Sequence, residues 1–431
     1  MIHETKSKRV KSSTDTFTTV GRRIPSLQGA SDPFSYIGEE LQLVEDTLAR
    51  AIHSREQSLT DIAAHIILGG GKRVRPAVTI LTFLAFGGKK VSDIVDIATA
   101  MELIHTATLL HDDIIDGAET RRGKESAYKK FGLKSTLVAG DFLFIKAFEF
   151  AGKFDDTVVQ WTADACSLLT EGEMLQGHFN RNPKVTLDDY IEIVKRKTAS
   201  LFQTGGKVGA YLAGAHTNLV EESERYGLNM GIAFQVVDDI LDVVGHVELL
   251  GKPTGMDLRD GNPSLPIILA LQNGESAVCE AFECPQPSEN HIVAALEALR
   301  TGSAIEAART ISKRYAEDAL KSIKKFPPSL YRNGLKTLVQ LIIERNFKAD
   351  SAIPSVFPFK IFQAEHHRWD PSTIPAIELY SACSIASLGA MIYSIELSVS
   401  AWMLGGEKKP FQPSSKTAMK EFLISAPVQG I

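Results

Sequence analysis

Leu109-Leu110-His111-Asp112-Asp113-Ile114-Ile115-Asp116 sets three carboxylates at the end of an apolar run. Read as a helix, the stretch puts Asp112 and Asp116 one turn apart on a shared face. Like charges at that spacing repel. They are tolerated when a cation sits between them, and all-oxygen ligands suit a hard ion such as Mg²⁺. An exposed acidic helix end would give the same string. A second stretch argues for the metal: Asp238-Asp239-Ile240-Leu241-Asp242 repeats the spacing, again inside an apolar segment.

The rest of the chain supplies a setting for two such motifs. With 431 residues, 44% of them hydrophobic, it is long enough for one large domain or two ordinary ones. A formal charge of −5 gives no global field for a nucleic acid or an acidic membrane surface. The four cysteines, Cys166, Cys279, Cys284 and Cys383, are spread out and lack paired CxxC spacing, so free thiols in a reducing, cytoplasmic setting are expected. Residues 1–33 are Ser/Thr-rich and mildly basic without an apolar core, which reads as a disordered tail rather than a secretory signal, with an organelle transit peptide as the alternative.

From 34 to 348 the pattern is helical nearly throughout. Long apolar segments recur at 76–86, 94–115, 133–151, 155–175, 187–212 and 220–244, with Gly and Pro between them. Period-two alternation is scarce. Helices this long and apolar predict an all-α bundle with a central core wrapped by further helices. A Gly/Pro-rich loop is expected over 251–261 and a polar break over 283–290. Residues 349–431 form a C-terminal extension: a proline-bearing linker, then an uncharged stretch at 379–395 flanked by Glu378 and Glu396. A bilayer span needs roughly 20 apolar residues, so a helix lying on a membrane surface or on the protein is the expectation there.

Two acidic clusters facing each other across a bundle would hold Mg²⁺, which usually binds through a few carboxylates plus substrate phosphates. The substrate should therefore carry a diphosphate. Cations to complete its cage follow a glycine run in Gly71-Lys72-Arg73-Val74-Arg75-Pro76, follow the first motif at Arg121 and Arg122, and recur at Lys197 and Lys252. Metal and cations on a diphosphate stabilise it as a leaving group. If the carbon it leaves is allylic, a carbocation remains, and an apolar interior keeps water from it.

These motifs resemble the trans-isoprenyl diphosphate synthase family over roughly residues 36–347. The resemblance rests on residues 71–76, both acidic motifs, Glu171-Gly172-Glu173-Met174-Leu175-Gln176, Lys197-Thr198, Phe234-Gln235 and Gly251-Lys252-Pro253. It implies the isoprenoid-synthase type of helical bundle with a large central cavity. It also implies Mg²⁺, about three ions per site, and a homodimer, or a heteromer as in some long-chain systems. By position, Asp112, Asp113, Asp116, Asp238, Asp239 and Asp242 would serve the metal. Arg121 would meet the allylic diphosphate. Lys72, Arg73, Arg75, His105 and Arg122 would hold isopentenyl diphosphate. Lys197, Thr198, Gln235 and Lys252 would serve the departing diphosphate and the cation. Many members carry a lysine after Gly261 where this chain has Asn262; Arg259 is the candidate to replace that contact.

Product length has a geometric reading. The chain should grow down the helix away from Asp112, past Ala107 and Thr108, both small, then Ile104 and Met101. A helical turn rises ~5.4 Å, about one isoprene unit, so the unblocked turns predict repeated additions to an all-trans product of about C30–C50. The first motif lacks the two-residue insertion of many short-chain members. Geranylgeranyl diphosphate is the alternative product. Intact aspartates in both motifs argue against a terpene cyclase and against a non-catalytic subunit. Contact of the C-terminal extension with a membrane surface is a further expectation.

Overall fold

The apolar segments fold as helices throughout the described residues of this computed structural model, 32–121, 123–245 and 254–344. A 3₁₀ turn at Pro33–Ile37 leads into α1 (Gly38–Ala51), α2 (Gln57–Ile67), α3 (Val74–Ala85) and α4 (Val91–Ile115). A short antiparallel hairpin, β1 (Thr120–Arg121) against β2 (Lys124–Glu125), is the only sheet among the described residues. Then come α5 (Ala127–Phe131), α6 (Leu133–Ala151) and α7 (Asp156–Phe179). Next, α8 (Leu187–Val194) runs through a π-helical turn (Lys195–Ala199) into α9 (Ser200–Leu212), and α10 (Thr217–Val244) follows. The remainder is α11 (Met256–Asp260), α12 (Leu265–Gln272), α13 (Ser276–Glu283), α14 (Glu289–Thr301), α15 (Ala304–Ile323) and α16 (Leu330–Glu344). The tail and extension expected at 1–33 and 349–431 lie outside the described residues, apart from the first residues from 32 on.

Buried side chains run right round α4, from Ile94 through Met101 and Ile104 to Leu110, as a helix enclosed by others requires. Helices α1, α3 and α6 pack against it. The α6 contact is close because Gly140 has no side chain: a Cβ there would stand 2.2 Å from Nε2 of His111. Helix α10 works differently, with two separate faces. Tyr226, Met230, Ala233 and Val237 join the core around α3, α4 and α9. Ile232, Val236, Ile240 and Val243 join a second core built with α8 and α12 to α15. The two faces follow helical spacing, so one helix divides the two cores.

The structure departs from the sequence reading in two places. A short helix, α11, stands inside the segment expected to be loop, bracketed by Gly255 and Gly261 with φ of 75° and 74°. Glycine reaches that left-handed region without a Cβ penalty, so each can end a helical turn abruptly. The continuous segment 187–212 is broken by the π-helical turn, which an apolar pattern does not reveal.

Arg73 corrects the expectation that it binds substrate. It is buried, with φ of 48°, at the N-cap of α3. Its guanidinium donates to Glu45 of α1 at 2.5 and 3.0 Å, to Glu102 of α4 at 2.6 Å and to the Ile67 carbonyl at 3.2 Å. Burial alone would lower its pKa; Glu102 and Glu45 more than reverse that. Arg73 therefore ties α1, α2 and α4 to the loop carrying Lys72. Arg73→Ala leaves two buried carboxylates uncompensated and is expected to destabilise the fold by about 3–5 kcal/mol. Urea unfolding checks this, and a loss below about 1 kcal/mol, the range of an exposed pair, would rule out the anchor.

Candidate active site

The first acidic motif ends α4, with Asp116 as its C-cap. That is the negative end of the helix dipole, a poor place for carboxylates without compensation. Asp112 is half-buried and Asp116 lies exposed at the rim. Burial pushes the Asp112 carboxyl up to about 7, and Glu173 and Asp116 add to this against the pull of Lys197 and Arg121. Asp116 is raised for the same reasons, burial first. Asp113 lies about 100° further round the helix. It is fully buried and accepts from Arg121 Nε at 2.7 Å and Nη2 at 2.5 Å. It holds the arginine that faces the motif, a correction to its expected place among the metal ligands.

The π-helical turn supplies the lysine. Helix α7 approaches it so closely that a Cβ at Gly172 would stand 2.4 Å from the Lys197 backbone nitrogen. The Lys197 ammonium pairs with Glu173 and feels Asp112 and Asp116. Burial alone would lower its pKa, but those three carboxylates raise it overall. The next residue, Thr198, turns the other way and donates from Oγ1 to Oε1 of Gln235 at 2.8 Å on α10. One turn of chain thus reaches both acidic motifs. Glu173 is a site residue to which the sequence reading gave no role; a glutamate beside a glycine, in a helix otherwise packed on the core, was the available signal.

Of the three carboxylates of the second motif only Asp238 stays half-exposed. Its charge acts on Arg75, whose pKa burial lowers while Glu102 and Asp238 resist. The Arg75 guanidinium lies 4.8 Å over the Phe202 ring. Asp239 is buried and accepts from Tyr190 Oη at 2.7 Å, Gln235 Nε2 at 2.8 Å and Leu265 N at 3.0 Å. Burial pushes it up to about 6 against those three donors. Asp242 is also buried and accepts from Asp257 N at 3.2 Å, linking α10 to α11. Both serve the scaffold, which corrects their expected place among the metal ligands.

Lys72 is exposed beside the Arg73 anchor, and His105 is half-buried, two turns before Asp112 on the same face. Thr108 and Met101 share that face, Thr108 half-buried and Met101 buried; Ala107, also buried, lies one turn before His111 and so toward α6, with Ile104 buried between the two faces. Arg122 and Lys252 lie outside the described residues. Arg259 does not replace the missing lysine: it is bidentate to Glu289 at 2.7 and 2.9 Å. Asn262 instead accepts from Gln176 at 3.1 Å.

The donor set fits a hard cation. Asp112, Asp116 and Asp238 offer only oxygen, and Asp112 is held in an environment that penalises its charge. Among the described residues no three acidic, histidine or cysteine side chains converge as a closed cage. Such a site would be completed by phosphate oxygens and water, as Mg²⁺ prefers.

Comparison with known proteins agrees with this chemistry. The polyprenyl synthetase family model matches residues 56–299. An octaprenyl diphosphate synthase of Haemophilus influenzae is 31% identical over 75% of this chain and 98% of its own length. A chloroplastic solanesyl-diphosphate synthase of Oryza sativa is 31% identical over 75% of this chain and 81% of its own. A polyprenyl synthase of Caulobacter crescentus, solved with calcium and isoprenyl diphosphate, has a TM-score of 0.71 at 32% identity, covering 74% of this chain and 98% of its own.

The raised pKa of Asp112 has a measurable cost. Below about pH 3 the carboxyl is largely neutral in folded and unfolded chains alike, so Asp112→Asn changes little through charge. Between about pH 4 and 7 the unfolded chain gives up the proton first, and wild-type stability falls as pH rises. Above about pH 7 the metal-free variant should be more stable than wild type by on the order of 1–2 kcal/mol. Urea midpoints from pH 4 to 8 read this; a variant no more stable at pH 8 would contradict it.

Proposed function

The chain belongs to the polyprenyl synthetase family, and on that premise we propose a Mg²⁺-dependent trans-prenyltransferase. It condenses isopentenyl diphosphate with an allylic diphosphate by repeated 1′–4 addition to give a long all-trans polyprenyl diphosphate. The observation that carries this is the π-helical turn, with Lys197 beside the first acidic motif and Thr198 bonded to the helix of the second.

Asp112, Asp116 and Asp238 are the residues proposed to hold Mg²⁺. When bound, the ion neutralises charge on the leaving diphosphate. Lys197 and Arg121 add fixed positive charge on the same side of the cleft. They help the allylic C–O bond break with its electron pair going to the diphosphate. The double bond of isopentenyl diphosphate then attacks the allylic carbon, and loss of one proton to the departed diphosphate restores an alkene. Lys72, Arg75 and His105 are proposed to hold the isopentenyl diphosphate. The apolar core around Met101 and Ile104 keeps water from the cation.

The octaprenyl and solanesyl names of the relatives support a long product. Purified protein with Mg²⁺, isopentenyl diphosphate and farnesyl diphosphate is expected to give a product whose mass lies in the range of about C30–C50, one unit per helical turn of open groove. No elongation would refute the enzyme, and a clean stop at C20 would favour geranylgeranyl diphosphate. Thr108→Phe is expected to shorten the product by filling the aspartate face, and Ala107→Phe by swelling the α4–α6 seam. Unchanged products from both would exclude growth along α4.

A homodimer is part of the proposal. Val138, Phe142 and Ile145 form one stripe on α6, with Val138 53% and Ile145 40% exposed. A self-complementary stripe suits a two-fold interface. Ile145→Glu is expected to give a monomer by light scattering. A dimer of unchanged strength would place the interface elsewhere.

A further inference from the structure

Asp239 gathers a chain of hydrogen bonds that reaches the reacting end of the site. The Tyr190 side chain is 3% exposed, and its hydroxyl donates to Asp239 Oδ2 at 2.7 Å. The Leu265 backbone N–H donates to the same oxygen at 3.0 Å, and Gln235 Nε2 donates to Oδ1 at 2.8 Å. All three contacts are donations, so the Asp239 carboxyl acts as acceptor throughout. The Gln235 amide must therefore keep its nitrogen toward Asp239; the flipped amide would set carbonyl against carboxylate. That forces Oε1 toward the π-helical turn, where the Thr198 hydroxyl donates to it at 2.8 Å. The hydroxyl proton of Thr198 is used in that bond. The remaining lone pairs of Gln235 Oε1 and Thr198 Oγ1 are acceptors, which suit a cation and disfavour a phosphate.

Tyr190 is itself firmly placed. It directly follows the capping box of α8, in which the Thr186 hydroxyl accepts from Asp189 N at 3.1 Å and Asp189 accepts from Thr186 N at 3.0 Å. The same helix continues into the turn carrying Lys197 and Thr198. Anchor and working residues thus ride on one element, two turns apart.

We propose that Tyr190 is a positioning residue: through Asp239 it holds the Gln235 amide oxygen-first toward Thr198 and the developing allylic cation. The inference rests on the prenyltransferase reading. Its action belongs to the bond-breaking step, not to substrate binding.

The test compares Tyr190→Phe with wild type, on full-length protein with Mg²⁺. The single-turnover rate with farnesyl diphosphate is expected to fall about tenfold, the cost of a lost hydrogen bond to a charged group. Affinity for the unreactive thiolodiphosphate analogue of the allylic substrate should stay within about twofold. Thr198→Ser, which keeps the hydroxyl, should retain most of the rate, whereas Thr198→Val should lose it. The double variant Tyr190→Phe/Thr198→Val should lose no more than the larger single loss, because both act through one chain. An unchanged rate in Tyr190→Phe beside an active wild type would overturn the inference alone. So would losses that multiply, or a rate loss matched by lost analogue affinity. A wild type that fails to elongate at all would remove the prenyltransferase reading and this inference with it.

Discussion

The site depends on one extra residue's worth of winding at Lys195–Ala199. In a regular helix, successive residues step by about 100°, and every backbone N–H finds the carbonyl four residues back. A π-helical turn gives up that pattern locally, and such turns collect at functional sites. Here Lys197 reaches Glu173 on α7, while Thr198 reaches Gln235 on α10. The turn can sit there only because Gly172 leaves room for its backbone. The distorted backbone is held by an ion pair on one side and a hydrogen bond on the other. The same two contacts bring a cation to the first acidic motif and an acceptor beside the second.

Charge explains why the site is demanding to build. Asp112, Asp116 and Glu173 crowd one region, with Lys197 and Arg121 against them. The protein carries this unfavourable arrangement on a scaffold paid for elsewhere, in two hydrophobic cores that share α10. The Arg73–Glu45–Glu102 cluster is the contrary case, an ion cluster whose charges meet inside the scaffold. Burial is common to both. The difference is whether each charge has its partner within the protein or leaves one to be supplied by a ligand.

Much of this was legible in the sequence. The helices, the two acidic motifs, and Lys197, Thr198 and Gln235 can all be read from apolar periodicity, spacing and resemblance. Helical period fixes which residues share a face, and so it pairs Asp112 with Asp116. It does not say what packs behind the next residue, so Asp113, Asp239 and Asp242 read as ligands until Arg121, Tyr190 and the Asp257 backbone are seen beside them. Arg73 misled for a similar reason: three cations in a row look alike until a left-handed φ turns one inward. Arg259 is spent on Glu289, thirty positions away in sequence, a pairing no local pattern announces. The π-helical turn was invisible because helical spacing is read at a fixed period, and one extra residue of winding within Lys195–Ala199 leaves no mark in residue type.

A rule connects these corrections. At three positions a residue proposed to face the ligand is followed by one that is bound to the scaffold. Asp112 precedes Asp113, bound to Arg121; Asp238 precedes Asp239, bound to Tyr190, Gln235 and Leu265; exposed Lys72 precedes Arg73, bound to Glu45 and Glu102. On a regular helix the 100° step makes this division natural, since it turns adjacent side chains apart. In the loop, the left-handed conformation of Arg73 achieves the same turn. The second residue of each pair therefore needs its charge or hydrogen-bonding capacity as much as the first does, for a different reason: it fixes the direction in which its neighbour points. A doubled acidic or basic residue in such a motif reads better as one ligand and one brace than as two ligands.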